Sequence, residues 1–387
     1  MVHTKLKVCV VVAGIGWCVL LVYVMSSLKW HPGDITNSHR HSSQASQVDN
    51  VPLARAAKSH VLLGELIEAA KINSGNQSKV KTVHNTLPII SSNVSSAQNS
   101  GKAVNIVISG DAETLVGVTT AMNSIVSNTK SSVHFYITLP KIVIPDFRKW
   151  VLQTVLHRVN YTVRPHVPQI PKKKPHFAKI YLKSIFPELD GRFIYLDTDV
   201  IIQGDVRELI DVAIKSSHLG AFADDCQLGS KRFNLAKPRY STHINLQHHK
   251  LKGVKIKPKA CTFNTDVFVG DMTAWKASNI SNLLMDWVNS SKSDPIYGLE
   301  PEANEAEAAI LIVMYNRVSP LPQPWHVGDL GVTPGARYSK EFIKKAKLLH
   351  WNGHFKPWSR RAAFMESWIK YYIPDPDKKY KPVKINT

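Results

Sequence analysis

From Lys102 onward, apolar positions switch between two periodicities. Val104-Asn105-Ile106-Val107-Ile108-Ser109 is a short, nearly continuous apolar run, the pattern of a buried strand. After Gly110-Asp111, apolar residues recur at 115, 118, 122 and 125, a helical spacing. Val133 to Thr138 predicts a second strand, Phe147 to Val159 a second amphipathic helix, and Tyr161 to Val167 a third strand. Phe177, Ile180, Tyr181 and Ile185 mark a helix just before the Asp-x-Asp strand, an apolar run from Arg192 that brings Asp197 and Asp199 to its end. Further strands are expected at His218 to Ala223 and around Asn264, and a helix from Glu302 to Tyr315. This βαβαβαβ order predicts an α/β domain with a mostly parallel central sheet and right-handed crossovers. Ligands of such sheets bind at the carboxyl ends of the strands. Asp111 and the pair Asp197/Asp199 fall at such ends.

The first hundred residues have a different texture. Val8 to Met25 carries no charge over 18 residues and follows Lys5 and Lys7. That length just spans a hydrocarbon core, and no small-x-small cleavage site follows it. An uncleaved signal-anchor is expected, with residues 1–7 cytosolic by the basic flank, 8–25 in the membrane and all that follows lumenal. Residues 26–101 are polar and read as a flexible stem, with one short helix at Leu62 to Ala70. Residues 102–387 are long enough for one large domain with a substantial core.

Charge and cysteine content refine this picture. The net charge is +20, with basic clusters at Lys172-Lys173-Lys174 and from Lys250 to Lys259. Behind a membrane anchor these do not indicate a nucleic-acid partner; they are a solvated surface or one favouring an anionic substrate or acceptor. Of four cysteines, Cys9 and Cys18 lie in the expected span. Cys226 and Cys261 remain, one following an expected strand and one preceding another. In an oxidising lumen they are expected to form a disulfide, with two buried free thiols as the competing state. Asn76, Asn93, Asn160, Asn279 and Asn289 are glycosylation acceptors if lumenal.

The candidate chemistry lies in two motifs. In Leu196-Asp197-Thr198-Asp199, alternation along extended backbone would point both carboxylates to one side, where they repel unless a hard cation such as Mg²⁺ or Mn²⁺ lies between them. A turn cap is the competing role of so short a motif. A calcium loop is excluded, because it needs an oxygen ligand at 201 and glycine at 202, and both are Ile. The second motif is His350-Trp351-Asn352-Gly353-His354-Phe355-Lys356-Pro357-Trp358. Neutral His350 suits a third ligand position, Gly353 a close backbone approach to phosphate, and Lys356 a point charge on phosphate oxygens. An aromatic surface turn would account for the tryptophans alone.

Together with Phe263-Asn264-x-x-Val267, and in this order, these motifs resemble glycosyltransferase family 8 over about residues 102 to 375. The resemblance implies a GT-A-type, Rossmann-like nucleotide-diphospho-sugar transferase domain in a single-pass type II Golgi membrane protein. It implies retaining transfer of a hexosyl group from a UDP-sugar, with Mn²⁺ (or Mg²⁺), to a glycan or glycoprotein acceptor. By residue it implies Asp197, Asp199 and His350 as metal ligands, and Ser109 and Asp111 near uracil and ribose. Gly353 and Lys356 match diphosphate contacts, and Asn264 a residue near the sugar. Three positions depart from the family pattern. Lys179 stands where Arg is usual, Asp266 where Gly is usual, and the Asp-Gln-Asp near the reacting sugar is missing, with Glu307 as its positional match. Asp266, Glu307 and Lys179 are therefore the candidate catalytic residues, and Lys179, which keeps the charge of the usual Arg, is also expected with Lys356 to contact the donor and offset charge on the departing UDP. A lumenal UDP-binding scaffold without turnover is the alternative.

Overall fold

The structure is a computed structural model that describes residues 102–172, 174–226, 238–294, 296, 305–335 and 338–382. The expected span 8–25, the stem with its helix, and the acceptors Asn76 and Asn93 lie outside the described residues. Among the described residues no helix is long and apolar enough to cross a membrane.

Among the described residues nine strands form two sheets: β1 Val104–Ser109, β2 Val133–Leu139, β3 Asn160–Pro165, β4 Arg192–Leu196, β5 Val200–Ile202, β6 Gly220–Asp224, β7 Phe263–Asp271, β8 Val318–Pro320 and β9 Leu348–His350. The main sheet has the order β3-β2-β1-β4-β7-β6-β8. Strands β1 to β4 pair in parallel. β7 runs antiparallel to both β4 and β6, and β8 is parallel to β6. The mostly parallel sheet expected from the alternating pattern is thus present, with one reversed strand.

Both faces of the sheet are covered, which is why β1 and β4 read as continuous apolar runs rather than alternating ones. Helix α1, Leu115–Asn128, packs with Ile106, Ile108, Leu196 and Val267 on one face. On the other face, helices α2, Ile280–Ser293, and α3, Glu305–Val313, enclose Val107, Tyr195 and Phe268. Phe193 meets Trp275 edge-on at 5.5 Å between ring centroids, one of several aromatic contacts there.

Three expected elements are redrawn. The helix at Phe147 to Val159 is instead Ile144–Leu152 followed by a 3-10 turn at Val155–Arg158. Pro145 pre-forms an earlier start. Thr154 leaves helical backbone, donates its hydroxyl to the Trp150 carbonyl (2.8 Å) and caps the 3-10 turn. The helix before the Asp-x-Asp motif divides into a 3-10 turn, Pro175–Ile180, and one helical turn, Leu182–Ile185. Most important, the backbone expected to stay extended through Asp197-Thr198-Asp199 bends there. β4 ends at Leu196 and β5 leaves the main sheet to pair antiparallel with β9.

The Cys226–Cys261 disulfide is present, with Cα atoms 5.8 Å apart. The β6–β7 ladder explains it. Asp224 pairs with Phe263, so each cysteine stands two residues beyond its paired strand end.

Candidate active site

The site forms where β4 ends. The chain bends at Asp197-Thr198-Asp199, and β5 then pairs Val200 directly with His350 of β9. The Trp351 N–H donates to the Asp199 carbonyl at 2.9 Å, extending this ladder. Two motifs some 150 residues apart are thereby locked side by side through backbone hydrogen bonds. Gly117 of α1 backs the bend: a Cβ there would fall 2.5 Å from the Thr198 carbonyl and 2.7 Å from the Trp358 ring. Only glycine allows this approach.

The aspartates do not meet by strand alternation. Asp197 Oδ1 accepts from the Thr198 N–H at 2.6 Å, a local turn contact. Asp199 reaches His350, with Oδ1 3.1 Å from Nε2, and accepts from Lys356 Nζ through Oδ2 at 2.5 Å. Asp199 Oδ1 and His350 Nε2 are close enough for an ion pair, yet both are buried and lack an aligned hydrogen-bond partner. Ligand atoms of Asp197, Asp266 and His350 lie within 4.8 Å of one another.

Electrostatics follow from this crowding. Burial pushes the Asp197 carboxyl up to about 6, and Asp199 and Asp266 add to the effect. Burial opposes ionisation of Asp199 too, but His350 and Lys356 outweigh it and hold that carboxyl well below the usual range. Burial works against charge on His350, and the Asp199 carboxylate outweighs it and raises the imidazole.

Sequence reasoning missed His326. Its Nε2 is 3.0 Å from His350 Nδ1, and burial, then His350, pushes it down to about 3, so it is neutral. A neutral His326 whose Nε2 accepts from Nδ1–H of His350 leaves His350 Nε2 directed at the carboxylates. Nothing in the sequence separates this residue from the other histidines, of which there are 17 in all. Asp225 was also missed. It accepts from Thr262 Oγ1 at 2.7 Å, and burial pushes it up to about 7.

Lys179 is fully buried. Its Nζ donates to Asp266 Oδ1 at 2.6 Å and to the Thr265 carbonyl at 3.0 Å, and it sits 5.4 Å from the Tyr195 ring centroid. Two of the three departures from the family pattern thus form one ion pair. Lys179 outweighs burial and lowers the Asp266 carboxyl. Glu307, in the first turn of α3, is pushed up to about 7 by burial and then by Asp266.

The remaining predicted residues have local engagements. Ser109 Oγ donates to the Pro175 carbonyl at 2.7 Å, and Asp111 Oδ1 caps the approach to α1 by accepting from the N–H groups of Glu113 and Thr114. Asn264 Oδ1 accepts from the N–H groups of Asp266 and Val267, both at 3.0 Å. Gly353 has φ +110°, and a Cβ there would stand 2.6 Å from the Gly331 carbonyl oxygen. Its glycine requirement therefore has a backbone cause before any ligand is considered. Gly353→Ala is expected to destabilise the protein by roughly 1–3 kcal/mol. Urea unfolding checks this, and an unchanged midpoint would show that the loop relaxes.

The profile of glycosyl transferase family 8 matches residues 105–362. The chain belongs to glycosyltransferase family 8. Relatives in this family include glycosyltransferase 8 domain-containing protein 1 of Xenopus tropicalis, 36% identical over 303 residues that cover 74% of this chain and 81% of that protein. The Homo sapiens protein of the same name is 33% identical, covering 72% and 80%. Glycosyltransferase 8 domain-containing protein 2 of Mus musculus is 32% identical, covering 73% and 85%. Among solved structures, an active-site mutant of LgtC superposes with a TM-score of 0.52 at 15% identity, over 71% of this chain and all of that one. The apo WbbM bifunctional glycosyltransferase gives 0.53 at 17%, over 83% and 58%. At these identities the likeness is one of fold, and the fold of this family 8 chain is of the GT-A type.

Proposed function

We propose that this family 8 glycosyltransferase takes a UDP-sugar as donor and transfers a hexosyl group with retention of configuration to a glycan or glycoprotein acceptor. Its metal would be Mn²⁺ or Mg²⁺, held by Asp197, Asp199 and His350. The observation that carries this reading is the buried pair Asp199 Oδ1 and His350 Nε2, which face each other at 3.1 Å without an aligned hydrogen bond. Carboxylate oxygens and one imidazole nitrogen suit a hard to borderline divalent ion. When bound, such an ion holds the diphosphate and offsets the charge that develops on the departing UDP.

The chain's own residues support the same chemistry. Lys356, bonded to Asp199 and only partly buried, is the proposed point charge for a phosphate oxygen. Ser109 and Asp111 at the end of β1 are the proposed nucleoside neighbours, Asn264 the proposed sugar neighbour, and Gly353 shapes the diphosphate loop. Asp266 and Glu307 are the proposed stabilisers of same-face attack, with Lys179 restraining Asp266. Residence in the Golgi lumen behind a single N-terminal span is supported by the disulfide and by three described acceptors, Asn160, Asn279 and Asn289, which are all exposed.

The test is UDP release from a panel of UDP-sugars, with and without Mn²⁺, alongside UDP binding. Mn²⁺-dependent release from at least one hexose donor is the expected result. Tight UDP binding with no release from any donor would favour the scaffold alternative.

A further inference from the structure

Resting on the metal-dependent reading above, we infer that Asp266 is a further ligand of the ion, set in place by its ion pair with Lys179. Three carboxylates, not two, then accompany His350. The distances point this way: Asp266 offers an oxygen within 4.8 Å of ligand atoms of both Asp197 and His350. Its backbone is fixed to the Asp-x-Asp bend, since the Asp197 N–H donates to the Asp266 carbonyl at 3.0 Å, just beyond the β4–β7 pair Leu196–Val267. Its own N–H is held by Asn264 Oδ1 at 3.0 Å. The carboxylate is therefore delivered by two backbone contacts and not by a mobile loop.

Lys179 completes the arrangement. The ammonium donates to the Thr265 carbonyl, contacts Thr265 Oγ1 at 3.4 Å and donates to Asp266 Oδ1. All three of its protons then have an acceptor, and none is left to a phosphate. Its role is to orient Asp266, as outer partners of ligating carboxylates do. One engaged oxygen leaves the carboxylate with lone pairs for a cation. The Asp266 side chain is 28% exposed whereas Lys179 is 0% exposed, so the carboxylate faces the open side of the pair.

The test measures Mn²⁺ affinity of the full-length protein by electron paramagnetic resonance of the free ion. Asp266→Asn is expected to weaken Mn²⁺ binding at least about tenfold, the scale of altered metal environments, and Asp197→Asn to weaken it as well. Should Asp266→Asn fail to fold because Lys179 loses its counter-ion, the comparison is Lys179→Met/Asp266→Asn against Lys179→Met alone, which strands no buried ammonium. Direct coordination is read with Asp266→Cys and Cd²⁺, where a thiolate-to-metal charge-transfer absorption absent from the wild type is expected. Loss of affinity without that absorption would reduce Asp266 to a nearby charge and overturn the inference. Unchanged Mn²⁺ affinity in Asp266→Asn with loss in Asp197→Asn would also overturn it, leaving the metal reading intact. Unchanged affinity in both variants would remove the metal reading and this inference with it.

Discussion

Asp197→Ala is expected to lose Mn²⁺-dependent UDP binding by at least about 100-fold and turnover with it, because it removes a charged ligand from the proposed ion. Folding should survive. In the metal-free protein the Asp197 carboxyl is pushed up to about 6 by burial, with Asp199 and Asp266 adding repulsion. A folded-state value raised above that of the unfolded chain means that ionised Asp197 opposes folding near neutral pH. Its removal therefore leaves the metal-free unfolding midpoint unchanged or higher. Asp286→Ala, at an exposed position on α2, is the matched control and should change neither property. Isothermal titration with UDP, with and without Mn²⁺, separates the outcomes. Retained Mn²⁺-dependent binding in Asp197→Ala would falsify the metal reading. A collapsed fold would instead show that the bend needs the Asp197–Thr198 contact.

Breaking the Cys226–Cys261 bridge is the second large effect expected. The residues are separated by 35 positions, for which loop-closure entropy predicts a loss of about 3–4 kcal/mol in the Cys226→Ser/Cys261→Ser variant. The bridge ties the end of β6 to the approach of β7, the strand that carries Asn264 and Asp266. Sugar-donor binding should therefore weaken together with stability. Urea unfolding of the two forms measures the first effect and UDP-sugar titration the second. Thiol labelling of the unfolded, unreduced full-length chain is expected to reach Cys9 and Cys18 only. Labelling of all four cysteines would show that the bridge does not form in the expressed protein.

Much of this protein can be read without coordinates, for definite physical reasons. A strand covered on both faces must be apolar at successive positions, so β1 and β4 announce themselves in Val104–Ile108 and Phe193–Leu196. Amphipathic spacing marks α1 as plainly. Metal and phosphate chemistry restricts residue types severely, so the Asp-x-Asp bend and the His350 to Trp358 segment stand out as motifs and carry the resemblance to family 8. The cysteine pairing is legible because only two cysteines follow the expected span.

What tertiary structure alone decided is how these pieces meet. The aspartates mark a strand end in the sequence, but nothing local says where Val200-Ile201-Ile202 go next; β5 leaves the main sheet and pairs with β9. That pairing, and not strand alternation, brings Asp199 to His350. His326 is an ordinary histidine until folding sets it 3.0 Å from His350. Lys179 and Asp266, 87 positions apart, look like two separate departures from a family pattern, and only the fold makes them one buried ion pair. Local patterns report what a residue needs from solvent and backbone. Partners distant in sequence are chosen by strand pairing and close packing, which no short stretch of chain encodes.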